Sequence, residues 1–158
     1  MSNVNPAEGA GLYPVPRQLG IRHRGTRAAA RRAGWLLLGL FCVGFAILES
    51  VNHGLPALLM AAGFAIAPDL AMLVGARTAH SLQRGQLPPA AVPWYNAAHR
   101  AWVPLLLLVA YSVSPLNWAP LFAAGLGWLA HIAIDRAAGF GLRDAAGFQR
   151  DAAGSQRG

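Results

Sequence analysis

The sequence contains no lysine, a single cysteine and few charges of either sign. Only 12 % of its 158 residues are charged, against roughly 25 % in ordinary soluble domains. Hydrophobic residues make up 55 % of the chain and mean hydropathy is +0.38. So few charges could not cover that much apolar surface in water, which excludes an ordinary soluble enzyme and a disordered chain. The lone Cys42 lies inside an apolar run and has no second thiol to pair with, which excludes a disulfide scaffold. All 13 cationic side chains are arginine; with 6 acidic residues the formal charge is +7. The apolar residues gather into long blocks, the pattern of an integral membrane protein.

Four such blocks are readable. Residues 1–34 are polar, carry Pro6, Pro14 and Pro16, and read as a flexible basic tail. Within it Arg22, Arg24, Arg27, Arg31 and Arg32 form an arm suited to anionic lipid headgroups. No aromatic residues are interleaved with those arginines as a nucleic-acid module would require, so no nucleic-acid partner is expected. The membrane domain is predicted over 35–138, with helices at about 35–51, 55–74, 94–113 and 115–138. Each is close to the length of roughly 20 residues that a bilayer core needs. Asn52-His53-Gly54 and Pro56 mark the first turn, the polar stretch 76–94 the middle loop, and Ser114-Pro115 the start of the last helix. Residues 139–158 read as a polar tail. Six arginines precede the first block; the middle loop carries Arg77 and Arg84, and the end of the chain Arg143, Arg150 and Arg157. The other two loops carry none. Because basic residues favour the cytoplasmic side, the expectation is an all-α, multi-pass four-helix bundle with both termini cytoplasmic. Gly39, Gly44, Gly125 and Gly127 are expected to let helices approach closely.

Ionisable residues inside apolar blocks stand out, because an ionised side chain at mid-membrane costs roughly 2.5–3.5 kcal/mol on insertion scales. Asp69 is about six residues from the inner end of the second helix, roughly 9 Å. His99 is a comparable distance into the third, with Tyr95 and Asn96 just before it and Arg100 after it. His131 and Asp135 are four apart in the fourth, hence on one face, with Arg136 adjacent. Three helices thus contribute polar groups to one layer. Pro68, beside Asp69, is expected to kink its helix and free the carbonyl of Phe64, and Pro104 to free that of Arg100. Asp69, His99, His131 and Asp135 could hold a divalent metal such as Zn. The metal-free alternative is Asp69–Arg100 and Asp135–Arg136 ion pairing. Glu49 and His53, also four apart, lie towards the opposite end and could pair with each other.

Several blocks carry a family resemblance. They are Ala67-Pro68-Asp69-Leu70-Ala71-Met72, Trp94-Tyr95-Asn96-Ala97-Ala98-His99 with Pro104, and Gly127-Trp128-Leu129-Ala130-His131-Ile132-Ala133-Ile134-Asp135-Arg136. Gly139-Phe140-Gly141-Leu142 with Phe148 follows. Together they resemble the small bacterial membrane proteins of domain of unknown function family 4260, over about residues 35–150. Glu49 matches the acidic residue of that family's first helix. The family often has Tyr where Phe140 stands and Lys where Arg143 stands, and the middle loop is longer here. The resemblance implies a bacterial inner-membrane protein with this polar site and names no reaction. A looser likeness is to membrane-bound metal-dependent hydrolases, which also carry a Pro-Asp pair. Of their fuller His-Arg-x-x-Thr-His-Ser signature this chain has only His99-Arg100.

Three functions fit these residues. In a metal-dependent hydrolase, Asp69, His99, His131 and Asp135 hold the ion and activate water, while Asn96, Arg100 and Arg136 bind a lipid-like anionic substrate. In a small transporter, the same groups with Glu49 relay protons or a cation. In a structural or interaction protein, the polar layer joins helices.

Overall fold

In the computed structural model residues 19–76 and 82–150 are described, the side chains of 19–24 excepted. Arg77 and Arg157, and the side chains of Arg22 and Arg24, therefore lie outside the described residues. The described chain is all-α: α1 (Leu19–His53), α2 (Leu55–Ile66), α3 (Val92–Ala98), α4 (Trp102–Val113) and α5 (Ala119–Ala138). With α3 and α4 counted as one interrupted helix, these make four.

α5 is the centre. It packs against α1, α2 and α4, and its buried residues are mostly small: Ala119, Ala123, Ala124, Gly125, Gly127, Ala130 and Ala133. Small side chains bring helix backbones together. At Gly127 a β-carbon would collide with the backbone carbonyl of Ala61 in α2, so only glycine fits. A β-carbon on Gly39 would meet Ile134, and one on Gly125 would meet Leu108. Gly44 departs from the expectation: nothing lies within 4 Å of its would-be β-carbon.

The outside is apolar. Leu37, Leu40, Phe41, Ile47, Val51, Leu59, Leu106 and Val113 are all exposed. Two helical stretches, Gly25–His53 and Leu55–Leu73, are long and apolar enough to cross a membrane, with mean hydropathies of 2.0 and 1.7. Only 17 % of each is buried. That distinguishes them from the core helices of a water-soluble domain, which are covered.

Helix ends depart from the sequence reading in four places, each with a local cause. First, the segment expected as a tail to residue 34 is helical from Leu19; Arg27-Ala28-Ala29-Ala30-Arg31-Arg32 is a run of strong helix formers. Residues 1–18 lie outside the described residues. Second, α2 stops at Ile66 and continues as a 3-10 turn over Ala67–Leu73. Pro68 has no N–H to donate, so the chain tightens rather than simply bending. Third, the helix expected over 94–113 begins at Val92 and is interrupted at His99–Ala101. Pro104 cannot donate to Arg100; that carbonyl is not free, because Val103 N–H takes it at 3.0 Å. Fourth, the last helix begins at Ala119 rather than at 115, with Pro120 in its first turn. The Ser114 hydroxyl instead accepts from Leu116 N–H, 3.2 Å.

The segment after α5 is also more ordered than a tail. Arg143 and Gln149 form an isolated antiparallel bridge. Leu87 N–H donates to Gly147 O at 2.9 Å, tying this return to the loop before α3. Residues 151–158 lie outside the described residues. At the other end, Gly54 (φ +74°) links α1 to α2 in a single residue, a turn that glycine makes without strain.

Candidate metal centre

Two of the three elements that bear site residues are locally distorted beside them. Asp69 sits in the 3-10 turn that Pro68 imposes. His99 sits at the interruption between α3 and α4. Only His131 and Asp135 stand on regular helix, four residues apart on α5.

The interruption leaves two carbonyls without helical donors, and α5 supplies both. Trp128 Nε1–H donates to Ala98 O at 2.7 Å. Arg136 Nη2 donates to His99 O at 3.1 Å, while its Nη1 donates to Phe140 O, also at 3.1 Å. Each bond satisfies a group that would otherwise be unpaired, at a cost of about 1–3 kcal/mol if left so. They also fix His99 relative to His131 and Asp135.

His99 is 2 % exposed. Its ring stacks on Tyr95, centroids 3.8 Å apart, and its Nδ1 lies 2.9 Å from Tyr95 O. A carbonyl can only accept, so Nδ1 carries the proton. In the neutral ring Nε2 then has a free lone pair.

That lone pair points into the polar layer. His99 Nε2 and His131 Nε2 are 3.2 Å apart. Asp69 Oδ1 lies 3.5 Å from both nitrogens. Asp135 Oδ2 lies 3.5 Å from His99 Nε2 and 3.6 Å from His131 Nε2. Asp69, His99 and His131 form the compact group that could hold one metal ion. Asp135 adjoins it through both histidines. Access is graded: Asp69 is 46 % exposed, whereas His99 is sealed.

Two arguments bear on what this group binds. The first is charge. Two carboxylates bring −2. Two imidazolium rings would balance them, but both would then present N–H groups to each other across 3.2 Å. A divalent cation would balance the same charge and accept the lone pairs of both nitrogens at one centre. The second is size. In a tetrahedral site with metal–ligand bonds of about 2.0–2.1 Å, ligand atoms are about 3.3–3.4 Å apart. The observed triangle has edges of 3.2, 3.5 and 3.5 Å.

The remaining residues singled out in the sequence fall elsewhere. Asn96 does not face the layer's histidines with its amide. It clamps the backbone of Arg143, donating to Arg143 O at 2.9 Å and accepting from Arg143 N–H at 2.8 Å. Arg143 in turn lies over the Tyr95 ring, 5.5 Å from its centroid. Arg100 is exposed at the interruption. The arginine–carboxylate pairing of the metal-free alternative is not what forms: among the described residues the ion pairs join histidine to carboxylate. Glu49 and His53 do pair, 3.4 Å apart on one helix. Trp128, which holds Ala98 O, and Arg143, which lies over the Tyr95 ring, carry no sequence signal for those roles; Asn96 and Arg143 are 47 residues apart.

No curated protein and no solved structure matches the chain. The family model described as Domain of unknown function (DUF4260) matches residues 37–155, and the chain belongs to that family.

Proposed function

We propose that this member of the family is a multi-pass protein of the bacterial inner membrane and acts there as a metal-dependent hydrolase on a lipid-like, anionic substrate. The observation that carries the reading is the facing pair of imidazole nitrogens, 3.2 Å apart, with Asp69 equidistant from both. Asp69, His99 and His131 would hold a divalent ion such as Zn, which would supply Lewis-acid chemistry. Asp135, next to both histidines, would take the proton from the attacking water as its oxygen joins the acyl or phosphoryl centre, and would return that proton to the alcohol that leaves when the ester bond breaks. Arg136, already fastened to His99 O, and the exposed Arg100 supply positive charge for an anionic substrate.

In the bilayer, the arginine distribution orients both termini and the middle loop to the cytoplasm, with the arginine-rich arm against anionic headgroups. Reporter fusions at Asn52, Arg84, Asn117 and the C-terminus should then read outside, inside, outside, inside. An outside reading at Arg84 overturns this topology.

A second reading has one observation in its favour. Without a metal, His131 Nε2–H could donate to His99 Nε2 and join α5 to the interruption, making the layer structural. Hydrolysis of a panel of anionic lipid esters by the full chain in nanodiscs separates the two. The hydrolase reading expects release of product that a chelator stops, that added Zn restores, and that Asp135→Asn lacks. Activity indifferent to the chelator, or no activity with metal bound, overturns it.

A further inference from the structure

A second polar feature lies outside the metal layer. A cavity of about 540 Å³ opens between α1, the end of α5 and the return that follows. That is within the range of roughly 300–1,000 Å³ usual for small-molecule sites. Arg31, Arg32, Arg136 and Arg150 line it, with Trp35 and Phe140, and among the described residues no carboxylate lines it. None of Asp69, His99, His131 or Asp135 lines it either.

Among the described residues, no carboxylate in the walls balances the charge of this cavity. Four guanidiniums converge from three separate parts of the chain. The end of α5 offers only about half a negative charge. Backbone room is left for them: a β-carbon on Gly139 would lie 2.8 Å from Arg32 Nη2, and one on Gly141 would lie 3.4 Å from Arg136 Nη1. Two nitrogens of Arg136 are committed to carbonyls, which makes it a fixed wall of the cavity. Arg31, Arg32 and Arg150 are exposed. Planar guanidiniums match the oxygens of phosphate in pairs, which ammonium groups do not. Trp35 marks the place where the arginine-rich arm meets the apolar helix, the level at which tryptophan ring and headgroup coincide in a bilayer.

We propose that this cavity binds a phosphate group, carried by an anionic lipid headgroup, between Arg31 and Arg32 of α1 and Arg150 of the return. The binding site is separate from the metal layer; Arg136 and the Phe140 N–H, which donates to Asp135 O at 2.8 Å, link the two. It stands whether or not the layer holds a metal.

Native mass spectrometry of the full chain in detergent tests it, with phosphatidylglycerol, phosphatidylcholine and inorganic phosphate as probes. Phosphatidylglycerol should bind at least about tenfold more tightly than phosphatidylcholine. Arg32→Gln and Arg150→Gln should each weaken phosphatidylglycerol about tenfold or more, the loss expected for a charge-assisted contact. Arg84→Gln, an exposed arginine of the middle loop outside the cavity, should not change it. Competition by inorganic phosphate at low millimolar concentration would make free phosphate the ligand of the same site; its failure to compete would make the headgroup the ligand. Equal binding of the two lipids, or phosphatidylglycerol binding unaffected in both cavity variants, overturns the proposal. Because Arg32 touches the end of α5, Arg31→Gln serves as a third variant with the same expected loss. His131→Ala should leave phosphatidylglycerol binding intact, so a failed metal site and a failed phosphate site are told apart in one experiment.

Discussion

Among the described residues two clusters join histidine to carboxylate, and they differ in almost every physical respect. Glu49 and His53 are four residues apart on one helix, 3.4 Å from each other, with His53 48 % exposed. Asp69, His99, His131 and Asp135 come from three separate elements and meet within 3.6 Å, with His99 almost wholly buried. The first cluster needs only helical periodicity; any helix with such a pair forms it. The second needs a 3-10 turn at Pro68, an interruption at His99 and two side chains of α5 to hold the interruption in place. A pair that forms by periodicity alone says little about function. A group assembled from two distorted elements and a regular helix needs more than periodicity to form, which makes it the stronger candidate for a site.

Substitutions should separate the two clusters sharply. His99→Ala should have the largest effect. It empties a buried position, removes the ring stacked on Tyr95 and deletes a ligand. Thermal unfolding in detergent should fall by an amount equivalent to about 2–4 kcal/mol, and metal content should be lost. His53→Ala measured beside it should change neither. Arg136→Gln comes next. It leaves the carbonyls of His99 and Phe140 without their donor, an effect of about 1–3 kcal/mol. Metal affinity should fall about 10–100-fold, the range seen when a group orienting a ligand is removed. Titration with Zn and a competing chelator measures this; unchanged affinity would mean that Arg136 does not position His99. Asp135→Asn should weaken the metal by a similar or smaller factor while leaving the bundle's melting temperature within a few degrees. Glu49→Gln is the smallest: at most about 0.5 kcal/mol, as for an ordinary pair one helical turn apart, with the metal unaffected.

Much of this was legible in the sequence, and what was not has identifiable causes. The apolar blocks gave the helices because membrane insertion demands long runs of one character. The depth argument brought Asp69, His99 and His131 into one layer, and the structure places their ligand atoms within 4.8 Å of one another. Pro68 and Pro104 signalled distortion, but their outcomes, a 3-10 turn and an interruption, depend on what packs alongside. The start of α1 was misplaced because arginine reads as tail in a polarity scan although its helix propensity is high. The ordered return after α5 escaped notice because Asn96 and Arg143 meet across 47 residues with no periodic signal between them. In the metal-free alternative arginine neutralises the acids; instead Arg136 serves backbone carbonyls and histidine faces the carboxylates. Sequence spacing cannot distinguish those two uses of a guanidinium.

The central claim is that the layer is a metal centre, and metal content tests it most directly. The full chain, purified in detergent without chelator and analysed by inductively coupled plasma mass spectrometry, should carry about one equivalent of a divalent transition metal. The His131→Ala variant, still inserted and helical, should carry none. A metal-free unsubstituted protein that stays metal-free after incubation with Zn, and whose His131→Ala variant is merely less stable, would contradict the account and leave the layer as a set of hydrogen bonds between helices.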